Sequence, residues 1–68
     1  MKEIKIDTDI IKLDSFMKWS GIVSMGSEAK ALILNGEIKL NGEVETRRGK
    51  KLKKGDTLEF NGENYKIV

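Results

Sequence analysis

The pair Asn41-Gly42, set between the alternating segments EIKL (37–40) and EVET (43–46), limits the fold more than any other feature of the chain. Both central residues of a tight two-residue hairpin turn take positive φ, which Asn and Gly tolerate and most residues do not. The alternation on either side sends one face of each strand toward a core and the other toward water. From Gly36 onward the chain is therefore expected to be a sheet. Gly55-Asp56 turns into TLEF (57–60), and Asn61-Gly62 begins a second hairpin or loop that returns as NYKIV (64–68). The triplet Asn-Gly-Glu occurs at 35–37, 41–43 and 61–63. The intervals share no further pattern, so the triplet marks repeated turn chemistry and not duplication.

Upstream of Gly36 the period is that of helices. Leu13, Phe16, Met17 and Ser20 recur at i, i+3, i+4 and i+7, and Gly21 is placed to end that helix. Ile22 and Val23 form a brief connection into the core. A second helix is expected through SEAKALIL (27–34), with Ala29, Leu32 and Ile33 as its apolar stripe. Ser24 or Ser27 is the candidate cap, and Asn35-Gly36 the end. Residues 2–6 alternate polar and apolar and predict a short strand. Together these predict one α+β domain over residues 1–68: two short packed helices against a small, mainly antiparallel sheet.

Charge is distributed less evenly than the formal +2 suggests. Of 13 basic and 11 acidic residues, six basic and no acidic ones fall within residues 46–54, which leaves 7 basic against 11 acidic elsewhere. A strongly cationic segment thus sits on a mildly acidic body. Surfaces built only for solubility usually interleave the two signs. The segment is bracketed by a hairpin and a turn, so it is held on a scaffold. Arg47 and Arg48 weigh most, because a guanidinium grips phosphate oxygens bidentately, whereas Lys50, Lys51, Lys53 and Lys54 act as point charges. Lys12 and Lys18 at the ends of the first helix, Lys30 on the second and Lys39 on the hairpin are candidates to extend the patch. The second helix opens with Ser24, Gly26 and Ser27, small residues around backbone N–H groups where a phosphate can rest. A polyanion is the expected partner, and two helices beside a basic loop suit the backbone and shallow minor groove of folded RNA.

Other chemistries find little support. With no cysteine and no histidine, disulfides, zinc knuckles and Cys/His nucleophiles are excluded. The carboxylates fall mostly at turn ends and solvated strand positions, so no catalysis, cofactor or small-molecule substrate is expected. No phosphate-cradling Gly-rich loop precedes a helix. Of the four aromatics, Phe16, Phe60 and Tyr65 read as core. Trp19 lies off the helical stripe and either covers the sheet edge or stands partly exposed, so base stacking is not the main device. The N-terminus lacks the pattern of a signal peptide and no run is long enough to span a bilayer, so a soluble, cytoplasmic domain is expected.

Residues 12–60 resemble the S-four RNA-binding domain, a family named after a small-subunit ribosomal protein. The shared places are Lys12-Leu13-Asp14, Gly21, Ser24, Ala29, Leu32-Ile33, Gly36, Ile38, Asn41-Gly42 and Gly55-Asp56, in one uninterrupted register. The basic loop and the length are most similar to the short free-standing bacterial members of YaaA type. The resemblance implies an alpha-L fold whose helical face meets structured RNA, in a ribosomal context: ribosomal RNA, the ribosome or a precursor subunit. It also implies a module without the catalysis of the synthases and methyltransferases that carry this domain elsewhere. One departure stands out. Many members have arginine just inside the second helix, where this chain has Gly26, and the preceding family serine falls at Met25. Gly26 then either admits the RNA backbone more closely or leaves binding to Arg47 and Arg48.

Three alternatives come from other classes. The basic loop would also suit an acidic protein partner. A ubiquitin-like sulphur carrier would end in Gly-Gly, and this chain ends in Tyr-Lys-Ile-Val. Anionic lipid would attract the cluster, but no amphipathic anchor helix accompanies it.

Overall fold

The computed structural model describes all residues, 1–68. In chain order the elements are β1 (Lys2–Ile4), β2 (Ile10–Lys12), α1 (Leu13–Trp19), α2 (Gly26–Leu34), β3 (Ile38–Leu40), β4 (Glu43–Val44), β5 (Lys51–Lys53), β6 (Thr57–Phe60) and β7 (Glu63–Ile67). Five strands form one sheet in the order β1-β7-β6-β3-β4, and β2 and β5 form a separate two-stranded ribbon. Only β1 against β7 is parallel. The expected α+β architecture is what the chain adopts.

The turns explain the register. Asn41 and Gly42 have φ of 51° and 87°, and Asn61 and Gly62 have 54° and 79°. Both pairs therefore make the doubly positive turn that matches the twist of a hairpin. Lys39 then faces Val44, and Phe60 faces Glu63. The third Asn-Gly does something else: Asn35 stays right-handed as the C-cap of α2 and only Gly36 turns positive. One dipeptide thus closes two hairpins and ends one helix.

The core is wholly apolar. α1 contributes Leu13, Phe16 and Met17, α2 contributes Ala29 and Ile33, and the sheet contributes Ile38, Leu40, Leu58 and Ile67. Leu52 of the ribbon and Ile6 and Val23 of the connections complete it, with no polar side chain buried. Phe60, Tyr65, Leu32 and Ile22 pack against its edge. Because strand side chains alternate, Lys39, Glu59, Lys66 and Glu3 project from the sheet face turned away from the helices.

Three local expectations need correction. The β2–β5 ribbon lies partly within the stretch read as a basic loop: Lys51-Leu52-Lys53 is a strand, with Leu52 buried. The first strand covers Lys2–Ile4, although Ile6 continues the pairing through an N–H bond of 2.9 Å to the Val68 carbonyl. Neither Ser24 nor Ser27 caps α2. Met25 holds the cap position, and the Glu28 carboxylate reaches back to accept the Ser24 and Met25 N–H groups at 3.2 Å each. No helix is long and apolar enough to cross a membrane.

Candidate nucleic-acid interface

α1 starts directly from β2, and its N-cap residue, Lys12, supplies no side-chain hydrogen bond. Backbone from the basic segment serves instead: the Leu13 N–H donates to the Lys50 carbonyl at 2.8 Å and the Asp14 N–H to the Arg48 carbonyl at 3.3 Å. Two orphan donors of the helix are thereby satisfied, and residues 48–50 are bolted across the helix start. The ribbon fixes the rest. Ile11 and Leu52 pair and turn inward, while Lys12 pairs with Lys51 and Ile10 with Lys53 on the outward face.

The outcome is a row of lysines on one exposed face. Lys12 and Lys51 stand directly opposite each other, an arrangement of like charges that weakens a ladder. Neither forms an ion pair. Arg48 continues the row onto α1, where its Nε lies 3.9 Å from Asp14 Oδ2. Lys18 follows Asp14 by four residues, so it projects from the same flank of the helix.

Asp14 and Asp56 enter the sequence reading only as places of the family pattern, and Glu45 as a solvated carboxylate, yet each sets the position of a cation. Glu45 accepts the Arg47 N–H at 2.9 Å and Nε at 3.0 Å through Oε2, and Nη2 at 3.3 Å through Oε1. The Arg47 side-chain bonds, then its backbone bond, pull the Glu45 carboxyl down from 4.5 to about 2. Reciprocally, Glu45 raises the Arg47 pKa. Asp56 takes the Lys53 N–H at 2.9 Å and Asn41 Nδ2 at 3.2 Å, while Asn41 Oδ1 accepts the Thr57 N–H at 2.9 Å. The Asn-Gly and Gly-Asp places of the family pattern therefore meet in one hydrogen-bonded knot beside the ribbon. Besides the Gly-Asp place of the family pattern, the signal for these acids is spacing: Glu45 lies two residues before Arg47, and Asp56 three after Lys53.

The expected site residues divide by place. Lys12, Lys18, Arg48, Lys51 and Lys53 share the ribbon and the adjoining flank of α1. Arg47 and Lys50 occupy the tip of the loop, lining an open cleft of about 360 Å³ with Glu45 and Asp56. Lys54 is exposed in the turn after β5. Lys30 is exposed on α2. Ser24, Gly26 and Ser27 open α2, where Glu28 already places a carboxylate and where a Cβ on Gly26 would meet open space. Lys39 stands apart from all of them, on the far face of the sheet. Trp19 is 55% exposed and its Nε1 donates to the Lys5 carbonyl at 2.8 Å, so it leans over the connection that follows β1.

A two-helix layer on a small, mainly antiparallel sheet, with a cationic ribbon bolted to the first helix, defines a small α+β domain. The chain belongs to the S4 domain family, whose model matches residues 4–68. It is 39% identical over 59 residues to the "probable ribosome maturation protein RlbA" of Bacillus subtilis, covering 87% of this chain and 83% of that one. The solution structure of YbcJ from Escherichia coli, described as revealing an αL motif involved in RNA binding, superposes with a TM-score of 0.73 at 30% identity. That match covers 100% of this chain and 87% of YbcJ. The ribosomal protein S4e of Thermoplasma acidophilum shares the fold, with a TM-score of 0.69 at 23% identity over 91% of this chain and 33% of that one.

Proposed function

We propose that this protein is a non-catalytic RNA-binding module that docks on structured RNA, either ribosomal RNA or a ribosome assembly intermediate. Contact runs through the outer face of the β2–β5 ribbon and the adjoining flank of α1. The observation that carries the reading is the unpaired Lys12–Lys51 couple with Lys53 beside it. Like charges facing each other across a ladder cost stability, and a phosphate seated between them turns the cost into affinity. Supporting it are the names of the relatives, one for ribosome maturation and one for an RNA-binding motif. Exposed backbone phosphates of a folded RNA offer the polyanion, and shape selects it over other nucleic acids.

Binding to a folded ribosomal RNA fragment, a matched DNA duplex and a single-stranded RNA, each across a salt series, tests the reading. Tight binding to the folded RNA is expected. If six cations meet phosphates, log affinity should fall against log salt with a slope of about −4 to −5. A slope near zero refutes the proposal, and pull-downs that survive nuclease treatment assign the basic face to an acidic protein instead. The double variant R47E/R48E is expected to abolish binding with a thermal midpoint within about 5 °C of wild type, because exposed ion pairs contribute little to folding. A larger drop marks the two arginines as structural.

A further inference from the structure

RNA binding through cations leaves one acid to explain. Glu45 lies at the edge of the most basic stretch of the chain, and its side chain is only 13% exposed, whereas the Arg47 side chain laid over it is 71% exposed. Its two oxygens hold the Nε–Nη2 side of the guanidinium and the Arg47 backbone N–H at once. A guanidinium carries five N–H donors in a rigid plane. Glu45 takes two of them. The remaining Nη2 hydrogen and both on Nη1 are left, and the Nη1–Nη2 end is a second fork that matches two phosphate oxygens. Just beyond, the Lys50 N–H donates to the Arg47 carbonyl at 3.2 Å, closing a turn that sets Lys50 on the same cleft as Arg47 and Glu45. A long side chain that is already held loses less freedom on binding than one that must be caught.

We propose that Glu45 is a positioning residue for RNA binding, which holds Arg47 so that its free Nη1–Nη2 fork, with Lys50 beside it, forms a seat for one backbone phosphate. The inference rests on the RNA-binding reading above and deepens it. It also reverses a sign. By charge alone, E45Q raises the net charge by one and strengthens polyanion binding. By position, the same change releases Arg47 and weakens it.

The test is an anisotropy titration of a folded ribosomal RNA fragment with wild type, E45Q, E45D, R47A and E45Q/R47A, across a salt series. E45Q is expected to bind about five- to tenfold more weakly, as befits a charge-assisted contact partly lost. Its salt slope should be shallower by about 0.7 to 0.9, the share of one phosphate. E45D keeps the charge but shortens the arm, and it too should weaken binding. In the R47A background, E45Q should cost nothing further. If E45Q or E45D binds as tightly as wild type or tighter, the inference fails while the RNA reading stands. Equal weakening by E45Q in both backgrounds also overturns it, because Glu45 would then act through the fold and not through Arg47. Absence of salt-sensitive binding by the wild type sinks both.

Discussion

Two exposed strand faces in this small domain treat charge in opposite ways. On the outer face of the five-stranded sheet, Lys39 stands opposite Glu59 and Glu3 opposite Lys66, each cation facing an acid. On the outer face of the ribbon, Lys12 stands opposite Lys51. Cross-strand neighbours of opposite sign support a ladder and those of like sign weaken it, by a few tenths to about 1 kcal/mol. The charges of the sheet face thus favour folding, and the ribbon face accepts a local penalty. Three devices offset that penalty: the buried Leu52, the inward Ile11, and the backbone bonds from Leu13 and Asp14 to residues 48–50. On the reading proposed above, a phosphate of the partner relieves the Lys12–Lys51 couple, a feature that net charge conceals.

The contrast can be broken most strongly through binding. K12E/K51E should weaken binding to a folded ribosomal RNA fragment by about 100-fold or more, since two charge-assisted contacts are lost. K39E/K66E, with the same change in net charge, should stay within about threefold. Equal losses from both pairs would mean that only total charge matters. Folding sharpens the comparison with the reverse sign. K51E alone gives the ribbon an opposite-charge pair and should raise the thermal midpoint by about 4 °C, whereas K39E sets two acids face to face and should lower it by a similar amount. Calorimetry of the two single variants checks this, and matching signs would refute the account of the ribbon.

The smallest effect lies in pH. The Glu45 carboxyl falls from 4.5 to about 2 in the folded chain because Arg47 donates to it. A lowered carboxyl pKa stabilises the fold above the unfolded value and loses that contribution as pH falls through the folded one. The difference in thermal midpoint between wild type and E45Q should therefore be constant above about pH 5 and shrink between about pH 4.5 and 2. A difference that persists unchanged at pH 2 would show that Glu45 acts without its charge.

Much of the molecule was legible from local chemistry. Asn41-Gly42 and Asn61-Gly62 determine their own φ values, and Leu13, Phe16 and Met17 share a face by spacing, so hairpins and helices could be placed without any tertiary knowledge. The ribbon could not. Ile10–Lys12 is too short to show a period, and its partner is some forty residues away in sequence, hidden in what reads as a run of charge. The same distance hid the site's organisation. Lys12 and Lys51 could each be named as cations, but that they oppose each other is a fact of register. Nearness in sequence groups the hairpin's Lys39 with the patch, and one step of strand alternation sends it to the far face of the sheet. Ser24 and Ser27 have the chemistry of caps, but α2 begins at Gly26, so the cap position falls between them on Met25.

The bonds that bolt the basic segment to α1 run from main chain to main chain. Their consequence is a separation between the platform and what is mounted on it. Leu13 and Asp14 hold the carbonyls of Lys50 and Arg48 whichever side chains those positions carry, so exposed cations at 47, 48 and 50 can be exchanged, moved or removed while the frame keeps its shape. If the surface proposed above is the one that meets RNA, it can be retuned one side chain at a time, because the main-chain bonds that carry it do not depend on those side chains.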